Sequence, residues 1–306
     1  MTSTPTPGNG TGKSPIAVVA AAVGAMIGTI RHARAQPKRV DDIAGVNDFR
    51  RRSVRRRPVV LVHGTWCSAY DTWHTMAPAL VQRGYPVFAL DYGHRRGYDT
   101  TNVFNMVGGA DIADSARELA GFVERVVAVT GSETVDLVGH SQGGTVAHQY
   151  LKFNGGSNAN DPTRNRVRSL VTLGATNHGT TYGNKQIVGA VVEKLGFPVV
   201  GTTDATVGPS YAQQLFGSPF IAALNEHGDT VPGVRYTVVA TKYDTVSTPP
   251  KATFLEPGEG AVVTNLWLQD VAPDSTAGHM ELTTDRAAVG VVLNALDESR
   301  DRPQLH

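Results

Sequence analysis

The sequence predicts an α/β domain built on a doubly wound, mostly parallel sheet with helices on both faces. Two observations predict it. From residue 58 onward, short apolar runs alternate with stretches of helical period, and the first of those runs are apolar throughout, as strands covered on both faces are. A third observation bounds the size: 306 residues at 41% hydrophobic and 18% charged is ordinary globular composition, and a single α/β domain of about 250 residues accommodates it.

Residues 58–62 (PVVLV), ending in His63-Gly64, and residues 86–90 (PVFAL), ending in Asp91-Tyr92-Gly93, read as buried parallel strands. Between them Trp73, Met76, Ala77 and Leu80 recur at helical spacing, with Gly84 as the stop, which completes a βαβ unit. Ile112, Ala116, Leu119, Phe122, Val123, Val126 and Val127 mark the next amphipathic helix, and residues 134–138 (TVDLV) the next strand. Val146, Ala147, Tyr150 and Leu151 carry a helix, residues 167–173 (VRSLVTL) a strand, and residues 234–240 and 261–267 two more strands. Leu282, Ala287, Val289, Val292, Leu293 and Leu296 give a closing helix with one apolar side. Residues 179–226 interrupt the alternation with a Gly- and Thr-rich insertion that includes an apolar helical stretch at Ile187, Val188, Val191, Val192 and Leu195. Such an insertion either lines the carboxyl edge of the sheet as a small cap or packs as a surface helix.

The N-terminal part reads differently. Residues 1–15 are rich in Ser, Thr, Pro and Gly, residues 16–30 form an apolar run bounded by Arg31, and Ala33-Arg34-Ala35 resembles a cleavage site. This is a signal- or anchor-like segment, too short for an ordinary bilayer span. Arg50, Arg51, Arg52, Arg55, Arg56 and Arg57 follow as a basic cluster, expected to be a solvated linker, with contact to an anionic membrane surface as its alternative role. The expected division is therefore 1–57 as leader and linker and 58–306 as the catalytic domain, located outside the cell or at its envelope.

Net charge is +1, but residues 1–57 carry 11 basic and 3 acidic side chains, so the body of the chain is acidic. That argues against a nucleic-acid partner. Cys67 is the lone cysteine, which excludes an intramolecular disulfide, and no C-x-x-C or H-E-x-x-H spacing suggests a metal. No metal requirement for the chemistry is expected.

The chemistry converges on Ser141. Gly139-His140-Ser141-Gln142-Gly143 fits G-x-S-x-G, a pattern that is weak alone but here lies between an apolar strand and a helix. In that setting small flanking residues let the backbone turn sharply and raise the serine at the sheet edge. A serine hydroxyl is a poor nucleophile until a base takes its proton, and the base needs a carboxylate to fix its tautomer. His279, in the loop between the last strand and the closing helix, is the expected base, with His178 in reserve; His63 and His140 are expected to pack or hydrogen-bond. Asp244, in the loop after residues 234–240, is the expected acid; Asp270 after the next strand is the rival, and Asp229 precedes its strand and so belongs to the wrong end. The oxyanion of an acyl-transfer intermediate needs backbone N–H donors, for which the best candidates are Gln142, after the nucleophile, and Thr65, in the loop after the first strand. The Thr65 hydroxyl adds a third potential donor.

Val62-His63-Gly64-Thr65-Trp66, Gly139 to Gly144, Gly174-Ala175-Thr176-Asn177-His178-Gly179-Thr180, Thr241-Lys242-Tyr243-Asp244 and Gly278-His279 together resemble the small secreted bacterial triacylglycerol lipases of the α/β-hydrolase superfamily. The similarity runs over about residues 58–296. It implies the α/β-hydrolase fold and cofactor-free hydrolysis of carboxylic esters of lipids, with Ser141, Asp244 and His279 as a triad. One departure is Ala272, where similar proteins often carry a disulfide-forming cysteine. Two other readings stand beside it: acyl transfer to an alcohol other than water on the same triad, and a catalytically silent module that binds lipid or protein.

Overall fold

The computed structural model describes residues 38–50, 56–94, 107–183 and 208–301. Six strands, β1 (Val59–Val62), β2 (Val87–Leu90), β3 (Val135–His140), β4 (Val167–Leu173), β5 (Arg235–Ala240) and β6 (Val262–Trp267), form one sheet in the order β2-β1-β3-β4-β5-β6. Every adjacent pair is parallel. The chain steps outward from β1 to β2, then crosses back to lay β3 on the other side of β1, so the winding reverses between β1 and β3. Ligands of open α/β sheets bind at the carboxyl ends of strands at such a reversal.

The period-2 alternation of β1 shows why both faces are covered. Val59 and Leu61 join one apolar cluster with α1 (Ala69–Trp73), α2 (Met76–Gln82) and α8 (Arg286–Asp301), through Trp73, Met76, Leu80, Val292 and Leu296. Val60 and Val62 join a second cluster with α3 (Ile112–Thr130) and α4 (Gln142–Phe153), through Ile112, Leu119, Val123, Val146 and Leu151. The α3 boundaries follow from its ends: Asp111 accepts the N–H groups of Ala113 and Asp114, and Gly131 closes the helix at φ +67°.

The sheet, its winding and the position of every strand agree with the sequence reading to within two residues, and the structure differs in three places. The single helix expected over Trp73 to Leu80 is two, because His74 and Thr75 separate α1 from α2. Leu282, assigned to the closing helix, sits in a short 3-10 turn (Glu281–Thr283) ahead of α8. The division at residue 58 lies inside the packed body: Val40, Ile43 and Val46 are buried against the first cluster, and Arg56 and Arg57 are half-buried in ion pairs. Arg56 meets Asp297 at 2.7 Å and Arg57 meets the buried Asp136 at 3.2 Å. Against the upward push of partial burial, hydrogen bonds from Arg56, Arg83 and Tyr85 hold the Asp297 carboxyl down to about 2. The leader through residue 37, Arg51, Arg52 and Arg55 lie outside the described residues.

Of the insertion, residues 184–207, with the apolar stretch at Ile187 to Leu195, also lie outside them. The described remainder forms two short helices, α5 (Pro209–Gln213) and α6 (Pro219–Asn225). One turn of chain, α7 (Leu268–Val271), follows β6 directly. No helix among the described residues is long and apolar enough to cross a membrane.

Candidate active site

β3 runs two residues further than expected and delivers Ser141 at the β3–α4 turn with φ +53° and ψ −127°. That is a left-handed conformation a serine does not favour, at a cost of about 1–3 kcal/mol, and it is held by the surroundings. The Ser141 N–H donates to the Leu173 carbonyl at 2.9 Å, and Gly144 N–H to the Ser141 carbonyl at 3.0 Å. The glycines are steric requirements. A Cβ on Gly143 would run into the carbonyl oxygens of Val62 and His63, and one on Gly144 would lie 2.5 Å from Ala175 Cβ. The elbow is thus packed backbone to backbone on the end of β1, and Gly64 abuts it: a Cβ there would lie 3.2 Å from Ser141 Cβ.

His279 and Asp244 meet as the sequence order anticipates. His279 Nδ1 lies 2.8 Å from Asp244 Oδ2, and both side chains are buried. The other carboxylate oxygen, Oδ1, accepts the N–H groups of Val246 and Ser247, each at 2.8 Å. With Asp244 serving as acceptor throughout, the proton between the pair belongs to Nδ1, which leaves His279 Nε2 with its lone pair. The two loops are bound to each other: Thr241 Oγ1 donates to the Ala277 carbonyl at 2.6 Å, and Gln269 bridges Thr241 and the Lys242 N–H. Ser247 Oγ donates to the Gly174 carbonyl at 2.7 Å, pinning the Asp244 loop to the end of β4.

His140 ties the His279 loop to the turn that bears Ser141. Its Nε2 is 3.0 Å from the His279 carbonyl oxygen, which can only accept, so Nε2 carries the proton. Burial, then the neighbouring His279, pushes the His140 imidazole down to about 3, keeping it neutral. A structural hydrogen-bonding role for His140 is what its position in the sequence suggested. His63 likewise stacks on Tyr92 at 4.1 Å.

The rivals are elsewhere. Asp270 is exposed on α7. His178 and Asp229, the reserve base and the aspartate assigned to the wrong end of its strand, face each other at 3.0 Å, with His178 Nδ1 2.8 Å from the Ala252 carbonyl. With an acceptor at each ring nitrogen, the charged imidazole is favoured, and the Asp229 bond raises its titration above the ordinary value. The pair lies apart from the His279–Asp244 contact, with both His178 ring nitrogens already facing acceptors.

Thr65 lies half-buried directly after Gly64 in the loop that follows β1, and Gln142 is the buried first residue of α4, so both oxyanion candidates flank Ser141 along the chain or across the elbow. Thr65 Oγ1 accepts a hydrogen bond from Gln214 Nε2 at 2.9 Å. Gln214, at the end of α5, was not singled out in the sequence. It sits in a polar stretch of the insertion with no motif to mark it, and only the fold brings it to the β1 loop.

Comparison with known proteins fixes the lineage. Residues 56–287 match the family model of the class 2 lipases. The chain belongs to that family. Among curated relatives of the chain are triacylglycerol lipases of Pseudarthrobacter phenanthrenivorans and Burkholderia plantarii, each 25% identical over 134 residues. Those matches cover 42% of this chain and 36% and 32% of the two relatives. A non-heme haloperoxidase of Rhodococcus erythropolis is 36% identical over 120 residues, 39% of this chain and 37% of that protein. The chain thus spans about a third of the length of these curated relatives. Among solved structures, Aspergillus fumigatus lipase B superposes with a TM-score of 0.59 at 19% identity, over 81% of this chain and 54% of that one. A mature Bacillus licheniformis lipase gives 0.51 at 16%, over 79% and 92%. At such identities the chain shares with them the α/β-hydrolase fold.

Proposed function

We propose that the protein hydrolyses carboxylic esters of lipids through an acyl-enzyme on Ser141, with His279 as general base and Asp244 orienting it. The observation that carries this reading is the buried 2.8 Å contact of His279 Nδ1 with Asp244 Oδ2, bound through His140 to the strained turn that bears Ser141. Family membership and the triacylglycerol lipases among the relatives support the lipid-ester class.

In this scheme His279 Nε2 takes the Ser141 hydroxyl proton as Oγ attacks the ester carbonyl carbon, and the carbonyl π pair moves onto oxygen. The backbone N–H groups of Thr65 and Gln142, the latter at the positive end of α4, receive that oxyanion. The tetrahedral centre collapses, the C–O bond to the alcohol breaks, and the imidazolium returns its proton to the departing oxygen. Water repeats the sequence on the acyl-enzyme and releases the acid. Asp244, acceptor-only through both oxygens, stabilises the imidazolium without taking its proton.

The test is hydrolysis of p-nitrophenyl esters from acetate to palmitate by the purified chain and its Ser141→Ala variant. A Ser141-dependent rate that rises toward long acyl chains supports a lipase, and a rate confined to short chains a general esterase. Product analysis with a competing alcohol separates hydrolysis from acyl transfer. No Ser141-dependent rate on any ester overturns the reading in favour of a binding module. We also propose, from the composition of the leader alone, export or attachment to the envelope; fractionation of the source cells tests it.

A further inference from the structure

A buried chain of side-chain hydrogen bonds runs from the helix that carries Ser141 to the Thr65 loop, and the scheme above makes no use of it. Thr145, in the first turn of α4, lies 2.8 Å from Thr176 Oγ1; Thr176 Oγ1 lies 3.0 Å from Gln214 Oε1; Gln214 Nε2 lies 2.9 Å from Thr65 Oγ1 and 3.0 Å from the Ser210 carbonyl. Thr145, Thr176 and Gln214 are buried.

The direction of every bond follows from one acceptor. The Ser210 carbonyl can only accept, so the nitrogen of the Gln214 amide faces it, and the second Nε2 hydrogen goes to Thr65 Oγ1. The amide oxygen can only accept, so Thr176 gives it a proton, and Thr145 gives its own proton to Thr176. At the far end Thr65 Oγ1 accepts from Gln214, which leaves its hydroxyl proton for another acceptor, and Thr65 directly follows Gly64, the residue that abuts Ser141.

We propose that Gln214 is a positioning residue of ester hydrolysis: it locks the Thr65 hydroxyl as a donor aimed at the oxyanion that forms on the acyl carbon attacked by Ser141. The assignment rests on the ester-hydrolase reading. Gln214 suits the task because its backbone is fixed independently of its side chain. Its carbonyl accepts the Thr180 N–H at 2.8 Å, Ser210 Oγ donates to the Gly108 carbonyl at 3.0 Å, and Gln213 bridges the Ile112 N–H and Asp111 Oδ2 at 2.9 and 2.6 Å. The Gln214 amide thereby hydrogen-bonds the insertion to the Thr65 loop, beside the stacking of Tyr211 on Trp66 at 5.9 Å.

The experiment is a double-mutant cycle read as kcat and KM on one p-nitrophenyl ester. Gln214→Glu keeps the shape but cannot donate when ionised, so Thr65 turns its proton away from the site. The expected result is a fall in kcat of about 10²-fold, the scale of losing one oxyanion donor, with KM within about twofold. Gln214→Met, which frees the hydroxyl without reversing it, should lose about tenfold, a smaller part of the same scale. In a Thr65→Val background neither substitution should lower kcat by more than about twofold, because residues that act as one unit are not additive. Equal losses with and without the Thr65 hydroxyl, or an unchanged kcat in Gln214→Glu, overturn the assignment. If Gln214→Glu fails to fold, as a thermal melt would show, Thr65→Val against Thr65→Ser decides: serine must recover most of what valine loses, and equal rates for the two overturn the proposal. Absence of Ser141-dependent hydrolysis in the parent chain removes the function and this assignment together, whereas every other negative result removes the assignment alone.

Discussion

At the scale of single residues, the proposed chemistry depends on protons whose places are set by acceptors that cannot donate. Asp244→Asn keeps the shape of the pair but offers an N–H toward His279 or gives up the bonds from Val246 and Ser247. We expect kcat to fall by about 10³–10⁴-fold with little change in KM, and Ser141→Ala to lose at least about 10³-fold, both measured on the same ester. The His178–Asp229 pair makes a pH prediction of the opposite kind, in stability. His178 titrates above its ordinary value because of the Asp229 bond, so its contribution is complete below about pH 6.5 and is lost as pH rises through the raised folded value. Burial pushes the Asp229 carboxyl up, but the His178 and Glu256 hydrogen bonds outweigh it, so its contribution is complete above about pH 4 and is lost on further acidification. The difference in Tm between the parent and His178→Gln should be greatest near pH 5–6 and shrink toward pH 9; a difference independent of pH would show the pair to be neutral. The sequence made Ser141, Asp244 and His279 legible as candidates because Ser141 and Asp244 closely follow recognisable strands and His279 precedes the recognisable closing helix. It left Gln214 and Thr145 unmarked, and Thr176 without a role, because their pairing is between segments 31 to 149 residues apart, joined only by the fold.

At the scale of elements, glycines divide sharply by what lies beside them. Gly143→Ala would drive a methyl into the backbone of β1, and the elbow must move to admit it. We expect a loss of at least about 2–3 kcal/mol in urea unfolding, together with most activity. Gly121 in α3 has open space where a methyl would go, with no neighbouring atom within 4 Å, so Gly121→Ala should stabilise the chain by about 0.5–1 kcal/mol with activity unchanged. A destabilised Gly121→Ala would contradict this account of α3. Strands were readable to within two residues since β1 and β2 are apolar throughout and β3 to β5 are buried along nearly their whole length. The break of the first helix at His74 and Thr75 was not, because Trp73, Met76 and Leu80 point into one cluster on either side of it and keep a continuous helical period.

At the scale of the whole molecule, the body begins before its first strand. Val40, Ile43 and Val46 each bury an aliphatic side chain, worth about 1.5–3 kcal/mol apiece as an upper bound, and Arg57 answers the charge of Asp136 in the interior. A chain starting at residue 58 should therefore melt well below one starting at residue 38; equal Tm values would show the segment to be passively attached. The sequence hid this because the basic cluster dominates the composition of residues 50–57, and charge runs usually face water. The segment also closes a border. Val46 pairs with Val87, Asn47 N–H donates to the Val87 carbonyl at 3.0 Å, and the Asn47 side chain, from a left-handed residue at φ +56°, both accepts the Ala89 N–H and donates to the Ala89 carbonyl, each at 2.9 Å. Two residues thus stand in for a seventh strand along β2. An unpaired parallel edge is a template for pairing with other chains, so the short segment guards the sheet against self-association as well as holding it together.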